Sequence, residues 1–325
     1  MRAWVVEDFG SFREVLHFQG HADPKPPAGG ALVAVQAAAV NFFDLLLIAG
    51  TYQVRPKLPF IPGSEAVGEV IDVGPGSRLE RGQRVMVLVP VGAFGELVAA
   101  ADDVCFPAPE EMPDAEAASF LITYQTAYFA LTRRARIQEG ETLLIHGAAG
   151  GVGSAAIQLG KVLGARVIAT AGSAKLDACR ELGADVVIDH SQEDFVARVL
   201  ELTEGRGADV ILDPVGGEVF ERSSKCIAWE GRLLTVGFAS GQIPKIAANR
   251  ILLKNIAVVG LSWGNYQIHD PASVRQAHEH LLKLYHDGRI CPRIYREYAF
   301  DQLPKALADV EARKVVGKAV VAVRS

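Results

Sequence analysis

The sequence predicts an α/β protein of two domains: an N-terminal β domain and a doubly wound parallel sheet, with the end of the chain returning to the first domain. Three observations predict it. Up to about residue 120 the chain is a series of short strand signals broken by Gly and Pro. From Glu141 onward, short apolar strands alternate with helical stretches of about ten residues or more. Between the first of those strands and the first of those helices stands His-Gly-Ala-Ala-Gly-Gly-Val-Gly, residues 146–153. A length of 325 residues suits two domains, each with its own core.

In the first region, 31–39 is a β-prone apolar segment after the loop HADPKPPAGG. Residues 65–73 alternate glycine with valine and isoleucine, and 84–89 and 94–99 read as further strands. Irregular short strands with such punctuation indicate a compact, mostly antiparallel β domain. Asn41, Asp44 and Gly50 around FFDLLLIA mark a capped helix stopped by glycine. Residues 114–131 form one helical stretch with small and aromatic residues.

In the second region strands are expected at 142–145, 166–170, 186–188, 209–212 and 232–236. Helices are expected over SAAIQLGKVLG and at 174–182, 192–203 and 217–228. This alternation defines right-handed βαβ units with helices on both faces. Further on, 256–261 is strand-like, followed by a helix at 271–287, a strand at 294–300, a helix at 301–312 and a strand at 318–323. The domains are accordingly placed at 1–121, 122–265 and, as the return, 266–325.

Half of the residues are apolar and 22% are charged, which suits a folded soluble protein. A net charge of −5, from 33 basic and 38 acidic side chains, gives no reason to expect a nucleic-acid partner. No apolar run approaches the eighteen residues of a membrane span, and the first residues do not resemble a secretory signal. Cys105, Cys179, Cys226 and Cys291 are far apart and form no metal-ligand spacing, as expected of free thiols in a reducing compartment, the cytoplasm.

The glycine-rich turn carries the chemistry. Gly147, Gly150, Gly151, Val152 and Gly153 lie between a strand and a helix, where missing Cβ atoms let the backbone approach a pyrophosphate. The helix N-terminal N–H groups then receive anionic oxygens. The spacing is GxxGxxG, a variant of the dinucleotide fingerprint, and its setting makes it specific. The second strand ends in Ala-Thr-Ala-Gly-Ser-Ala-Lys without the carboxylate that commonly binds a ribose 2′-OH. Ser173 and Lys175 would suit a 2′-phosphate, so NADP(H) is expected over NAD(H). The alternative is a helix-capping Ser173 and a solvated Lys175. His190 is a candidate on the adenine side, or a surface histidine. Asp213, at the end of another strand, either shapes the nicotinamide end through backbone groups or caps a turn.

The segments AVNFFDLLLIAGTY, PFIPGSEAVGEV, GQRVMV, LITYQTAYFAL, HGAAGGVGSAAIQLGK, DPVGG and VEARKVVGK occur in this order along nearly the whole chain. Together they resemble the zinc-independent quinone oxidoreductase branch of the medium-chain dehydrogenase/reductase superfamily. The resemblance implies a GroES-like domain joined to a Rossmann domain, and NADPH-dependent reduction of a quinone or related enone. It also implies that zinc is absent: Asn41 and Gly63-Ser64-Glu65 stand where zinc enzymes carry ligands, and the cysteine lobe is missing. Carried over residue by residue, it makes Asn41, Asp44 and Tyr52 candidates beside the substrate. Asn41 and Tyr52 would act as donors to the acceptor oxygen and Asp44 as an orienting group. Capping and packing are the structural alternatives for all three. Leu46 stands where some members carry a second tyrosine, which makes the pocket more apolar. Thr126 resembles the residue that meets the nicotinamide carboxamide. Arg313 and Lys318 are expected near the cofactor phosphates as the chain returns, or else at a solvated helix end and strand edge. The resemblance also implies a homodimer, with 256–261 as a pairing strand. An enoyl or alkenal reductase, and a catalytically weak NADP(H)-binding sensor, remain alternatives to the quinone reductase.

Overall fold

The computed structural model describes residues 1–324 and divides into two compact units. The first unit holds Met1–Ile122 and the chain from Pro292 onward; the second is Thr123–Cys291. The chain therefore re-enters the first unit at Pro292 rather than at 266. The helix Pro271–His286 packs in the second unit, where Val274, Ala277, Leu281 and Leu284 are buried.

The first unit is built on the strand Gly30–Val40, eleven residues rich in Ala and Val and buried on both faces. Small and β-branched side chains allow neighbours to lie close on either side of such a strand. Its sheet runs Ile294–Ala299, Lys318–Ala322, Gly30–Val40, Glu65–Val73, Arg84–Leu88, Cys105–Pro107, with Leu97–Ala101 also paired to Gly30–Val40. The return of the chain is thus a strand addition: Lys318–Ala322 pairs antiparallel with Gly30–Val40, Ala319 opposite Val40. One core joins Val33, Val35, Ile48 and Phe94 to Leu303, Leu307 and Val321. The sequence reading did not anticipate the hairpin-like pair Arg2–Val6 and Leu16–Gly20. Its Trp4 indole N–H donates to the buried Phe300 carbonyl at 2.8 Å, tying the two ends of the sequence together.

The second unit is a six-stranded parallel sheet in the order Val186–Asp189, Arg166–Ala171, Thr142–Ile145, Ala208–Asp213, Ile227–Thr235, Ala257–Gly260. Strand order reverses between Thr142–Ile145 and Ala208–Asp213, which is the topological switch point where open α/β sheets bind ligands. The expected helix at 114–131 is broken into Asp114–Ala118, Leu121–Tyr128 and a π-helical turn, Phe129–Arg134. The expected helix at 217–228 ends at Ser223, and the next strand begins early, at Ile227. It kinks where Glu230 takes a left-handed φ of 58° before Gly231. The helix Ala248–Lys254 was also unanticipated.

Replacing Trp4 with Phe keeps the ring and removes the N–H, leaving the Phe300 carbonyl without that donor. A loss of about 1–3 kcal/mol is expected from urea denaturation. An unchanged midpoint would show that this tie contributes nothing to closing the unit.

Candidate functional site

In the second unit, the strand Thr142–Ile145 leads into a turn that glycine makes possible. Gly147 has φ +58° and its carbonyl accepts from Gly150 N at 2.9 Å. Ala148 N donates to Thr170 O at 3.1 Å, fastening the turn to the neighbouring strand. A Cβ on Gly153 would lie 2.6 Å from Ala148 Cα and closer still to the Gly147 carbonyl. A Cβ on Gly150 would meet only the Gly147 carbonyl, at 3.3 Å. Gly153 is therefore needed for helix–turn packing, whereas Gly150 keeps the mouth of the turn low. The helix Gly151–Val162 follows, with no acidic residue in its first turn. Its N-cap carbonyl is first used by Ser154 N at 2.8 Å, so the N–H groups of Gly151, Val152 and Gly153 precede the intrahelical ladder. Three N–H groups at the positive end of a twelve-residue helix, beside a backbone without Cβ atoms, suit phosphate oxygens.

The adjoining strand ends hold the other expected cofactor residues. Lys175 N donates to Gly172 O at 2.9 Å in a tight turn over Ser173–Lys175. His190 is exposed, and its Nε2 lies 3.9 Å from where a Gly172 Cβ would stand. Ser173 brings a correction. Its hydroxyl donates to Asp189 Oδ2 at 2.5 Å and lies 2.9 Å from Ser191 Oγ, while Ser191 also donates to Asp189 Oδ1. No carboxylate directly follows the second strand; the third strand supplies one. Hydroxyl donation by Ser173 and Ser191 holds Asp189 below the ordinary carboxylate range. The available signal was its place at the end of a parallel strand, on the edge that carries the glycine turn.

Asp213 behaves as the turn reading expected. Its Oδ1 accepts from Val215 N at 2.7 Å and Gly216 N at 3.0 Å, and burial pushes its carboxyl up. Gly216, at φ +73°, and Gly217 then pack against the loop of Ser240 and Gln242. Thr126 is buried on the helix Leu121–Tyr128. His146 lies beneath the turn between Thr170 Oγ1 (3.0 Å) and Ser223 Oγ (2.8 Å); burial lowers its pKa to about 3, keeping it neutral.

In the first unit, the start of the helix Phe42–Ile48 forms a polar cluster inside the apolar core. Asp44 Oδ2 accepts from the Asn41 backbone N–H at 2.7 Å. The Asn41 amide donates through Nδ2 to Glu65 Oε1 at 2.9 Å, and its Oδ1 accepts from Lys318 Nζ at 2.6 Å. Lys318 Nζ also lies 2.6 Å from Glu65 Oε1, whose other oxygen accepts from Ile122 N at 3.1 Å. All four side chains are buried. Lys318 is thus neither a solvated strand edge nor a phosphate ligand, because its ammonium is used within this cluster. Glu65, passed over as a candidate, is its central acceptor. Burial pushes Asp44 up to about 7, opposed by the Asn41 N–H and Lys318 and reinforced by Glu65. Its Oδ1 has no hydrogen-bond partner among the described residues. Tyr52 stacks on Phe43 with ring centroids 5.7 Å apart, and burial, then Asp44, raises its pKa. Arg313 is exposed at φ +54°, just after the helix Leu303–Glu311.

The chemistry of this cluster does not suit a metal dication. The oxygens that would be its ligands, Asn41 Oδ1 and Glu65 Oε1, already share an ammonium. Among the described residues no group of three or more His, Cys, Asp or Glu is placed to hold a metal ion.

Residues 27–110 match the alcohol dehydrogenase GroES-like domain, and residues 151–283 match the model described as zinc-binding dehydrogenase. The chain is 40% identical to a quinone oxidoreductase-like protein 2 homolog of Nematostella vectensis, over 89% of this chain and 80% of that protein. It is 33% identical to the human synaptic vesicle membrane protein VAT-1 homolog, over 99% of this chain and 86% of that one. The structure of Escherichia coli quinone oxidoreductase complexed with NADPH superposes with a TM-score of 0.93 at 28% identity, covering 99% of this chain and 100% of that one.

The raised pKa of Asp44 makes a stability prediction. Its folded value, about 7, lies above the ordinary 3.8, so the folded state holds this proton more tightly than the unfolded chain. This group's contribution therefore declines as pH rises from about 4 to about 7 and is constant above. Asp44→Asn should gain stability relative to wild type between pH 5 and pH 8 by about 1–3 kcal/mol, read from urea melts at both. A pH-independent difference would refute the assignment.

Proposed function

This chain belongs to the zinc-independent, quinone-oxidoreductase-like branch of the medium-chain dehydrogenase/reductase superfamily, and on that footing we propose that it is an NADPH-dependent reductase of quinones or related conjugated carbonyls, working without a metal. The observation that carries the reading is the glycine turn at 147–153 opening onto a twelve-residue helix at the switch point of a parallel sheet. NADPH, which the similar Escherichia coli quinone oxidoreductase binds, supplies the hydride when bound.

The chain's own residues bind and polarise. The N–H groups of Gly151, Val152 and Gly153 receive the pyrophosphate oxygens. Lys175 addresses the 2′-phosphate, His190 the adenine side, and Thr126 the nicotinamide carboxamide. Ser173 contributes less, since its proton is committed to Asp189. Asn41 keeps one amide hydrogen beyond the one given to Glu65 and presents it to the carbonyl oxygen of the acceptor. Negative charge develops on that oxygen as the β carbon or the ring is reduced, and a fixed donor in a buried setting stabilises it. Tyr52 walls the same pocket with its ring and offers its hydroxyl as a second donor.

We place the protein in the cytoplasm as a homodimer. In support of the first, Cys179 and Cys226 are buried thiols outside any disulfide. In support of the second, Ala257–Gly260 is the last strand of its sheet, and Leu252 and Leu253 beside it are 74% and 72% exposed. An open edge with adjacent apolar side chains suits pairing with a second copy. Leu252→Asp with Leu253→Asp should convert a dimer to a monomer in sedimentation velocity; a wild-type monomer at all concentrations would remove the proposal.

Stopped-flow oxidation of NADPH and NADH with quinones, enones, enoyl thioesters and aldehydes tests the function. Quinone turnover with NADPH is expected. Enone or thioester turnover alone would move the chain to the enoyl reductases, and tight binding without turnover would make it a sensor. Lys175→Ala should raise the KM for NADPH about tenfold and leave that for NADH unchanged, whereas Ser173→Ala should change it by less than about threefold. The reverse ranking would return the 2′-phosphate to Ser173.

A further inference from the structure

The geometry points to Lys318 as a positioning residue that fixes the Asn41 amide, with Glu65 as its counter-charge. This deepens the reading of Asn41 as the donor to the acceptor oxygen, and rests on it. Three strands bring the group together. In the antiparallel registers Ala39 stands opposite Glu65 and Val40 opposite Ala319, so Glu65 and Lys318 flank the residues that lead into Asn41. Residues separated by more than 250 positions therefore meet through strand pairing alone.

An asparagine amide has two nearly equivalent flipped orientations, distinguished only by its partners. Here Lys318 Nζ donates to Oδ1 at 2.6 Å, and Nδ2 donates to Glu65 Oε1 at 2.9 Å. A flip would turn the amide NH2 toward an ammonium and its oxygen toward a carboxylate, so both neighbours oppose it. Ile122 N holds the other Glu65 oxygen at 3.1 Å and stops that carboxylate from turning. The second Nδ2 hydrogen consequently keeps one direction. A donor held in place beforehand needs no reorganisation as charge develops on the acceptor oxygen, which is what makes it effective.

Lys318 also balances charge. Glu65 is 1% exposed and Lys318 5% exposed, and either alone would be a buried unpaired ion. Asp44 and Tyr52 are the other titratable groups facing the cluster. Asp44 feels Lys318 and Glu65 with opposite signs.

The test is a double-mutant cycle on the full chain, with steady-state turnover of para-benzoquinone and NADPH. Lys318→Met should lower kcat about 10- to 100-fold while leaving the KM for NADPH within about twofold. Asn41→Ala should lower kcat similarly. The combined variant should be no worse than Asn41→Ala by more than about threefold, because a residue that acts through Asn41 has nothing left to position. Lys318→Met with Glu65→Gln removes both charges and guards against loss of the fold; it should show the same kcat loss with an unaltered circular dichroism spectrum.

Additive losses in the cycle, or full kcat in the charge-neutral pair, would overturn the positioning role while leaving Asn41 as the donor. Full activity of Asn41→Ala would instead overturn the reading of Asn41, and the positioning role with it. Absence of quinone turnover by the wild type would overturn the proposed function itself.

Discussion

A buried ammonium inside an apolar sheet has to be compensated where it stands, and in the first unit that requirement fixes how the chain closes. Lys318 is 5% exposed and meets Glu65, 1% exposed, at 2.6 Å. Desolvating either charge alone costs several kcal/mol, so the strand carrying Lys318 is strongly disfavoured in any register that separates the two. A slip of one residue would also turn every side chain of Lys318–Ala322 to the opposite face. The ion pair thus favours the register observed, Ala319 opposite Val40. That register completes the sheet with the last part of the chain and sets the start of the helix Phe42–Ile48 beside a polar cluster.

The second unit depends on a different constraint, the close approach of backbone to backbone. Its helix Gly151–Val162 can begin only where Gly153 packs on Ala148 without a Cβ. That same closeness exposes three N–H groups at the carboxyl end of the strand Thr142–Ile145. Electrostatics completes the arrangement: the first turn lacks acids, and His146 beneath it stays neutral. A charged imidazolium there would have to be desolvated against Phe195, whose ring it meets edge-on. The proposed anion site is thereby made of backbone alone, and the side chains on the next strand ends are the groups proposed to distinguish the two forms of the dinucleotide.

Much of this was legible in the sequence because it is written in local terms. Glycine spacing, strand–helix alternation and the Asn41–Asp44 start of a helix are all visible within a window of about ten residues. The class of fold and the cofactor follow from such windows, and the comparisons bear both out. What was misread is non-local. The environment of Lys318 is set by Glu65 and Asn41, far away along the chain, and no local pattern distinguishes a buried strand lysine from an exposed one. Asp189 belongs to the third strand, and only the pairing of that strand with the second brings its carboxylate to Ser173. The shortened helix after Gly217 and the left-handed Glu230 likewise answer to the sheet they join rather than to their own propensities.

The donor set of the first unit finally bears on why relatives of a family whose model carries zinc in its description can work without that ion. A zinc enzyme polarises its carbonyl with a dication held by thiolate and imidazole. At the corresponding place this chain has an amide, two carboxylates and an ammonium, with the ammonium already on the hardest oxygens. Such a set carries one formal positive charge and, with Asp44 protonated, one negative charge, so it is close to neutral below about pH 7. A neutral cluster cannot match a dication in polarising power, but it does not need to for an acceptor that is already electron-poor. Quinones and enones accept hydride at carbon without strong activation of their oxygen; a single oriented N–H then suffices to favour the developing charge. The proposed replacement of a metal by an amide backed by lysine is therefore coherent with an easily reduced acceptor, and that is the physical link between the residues around Asn41 and the proposed chemistry.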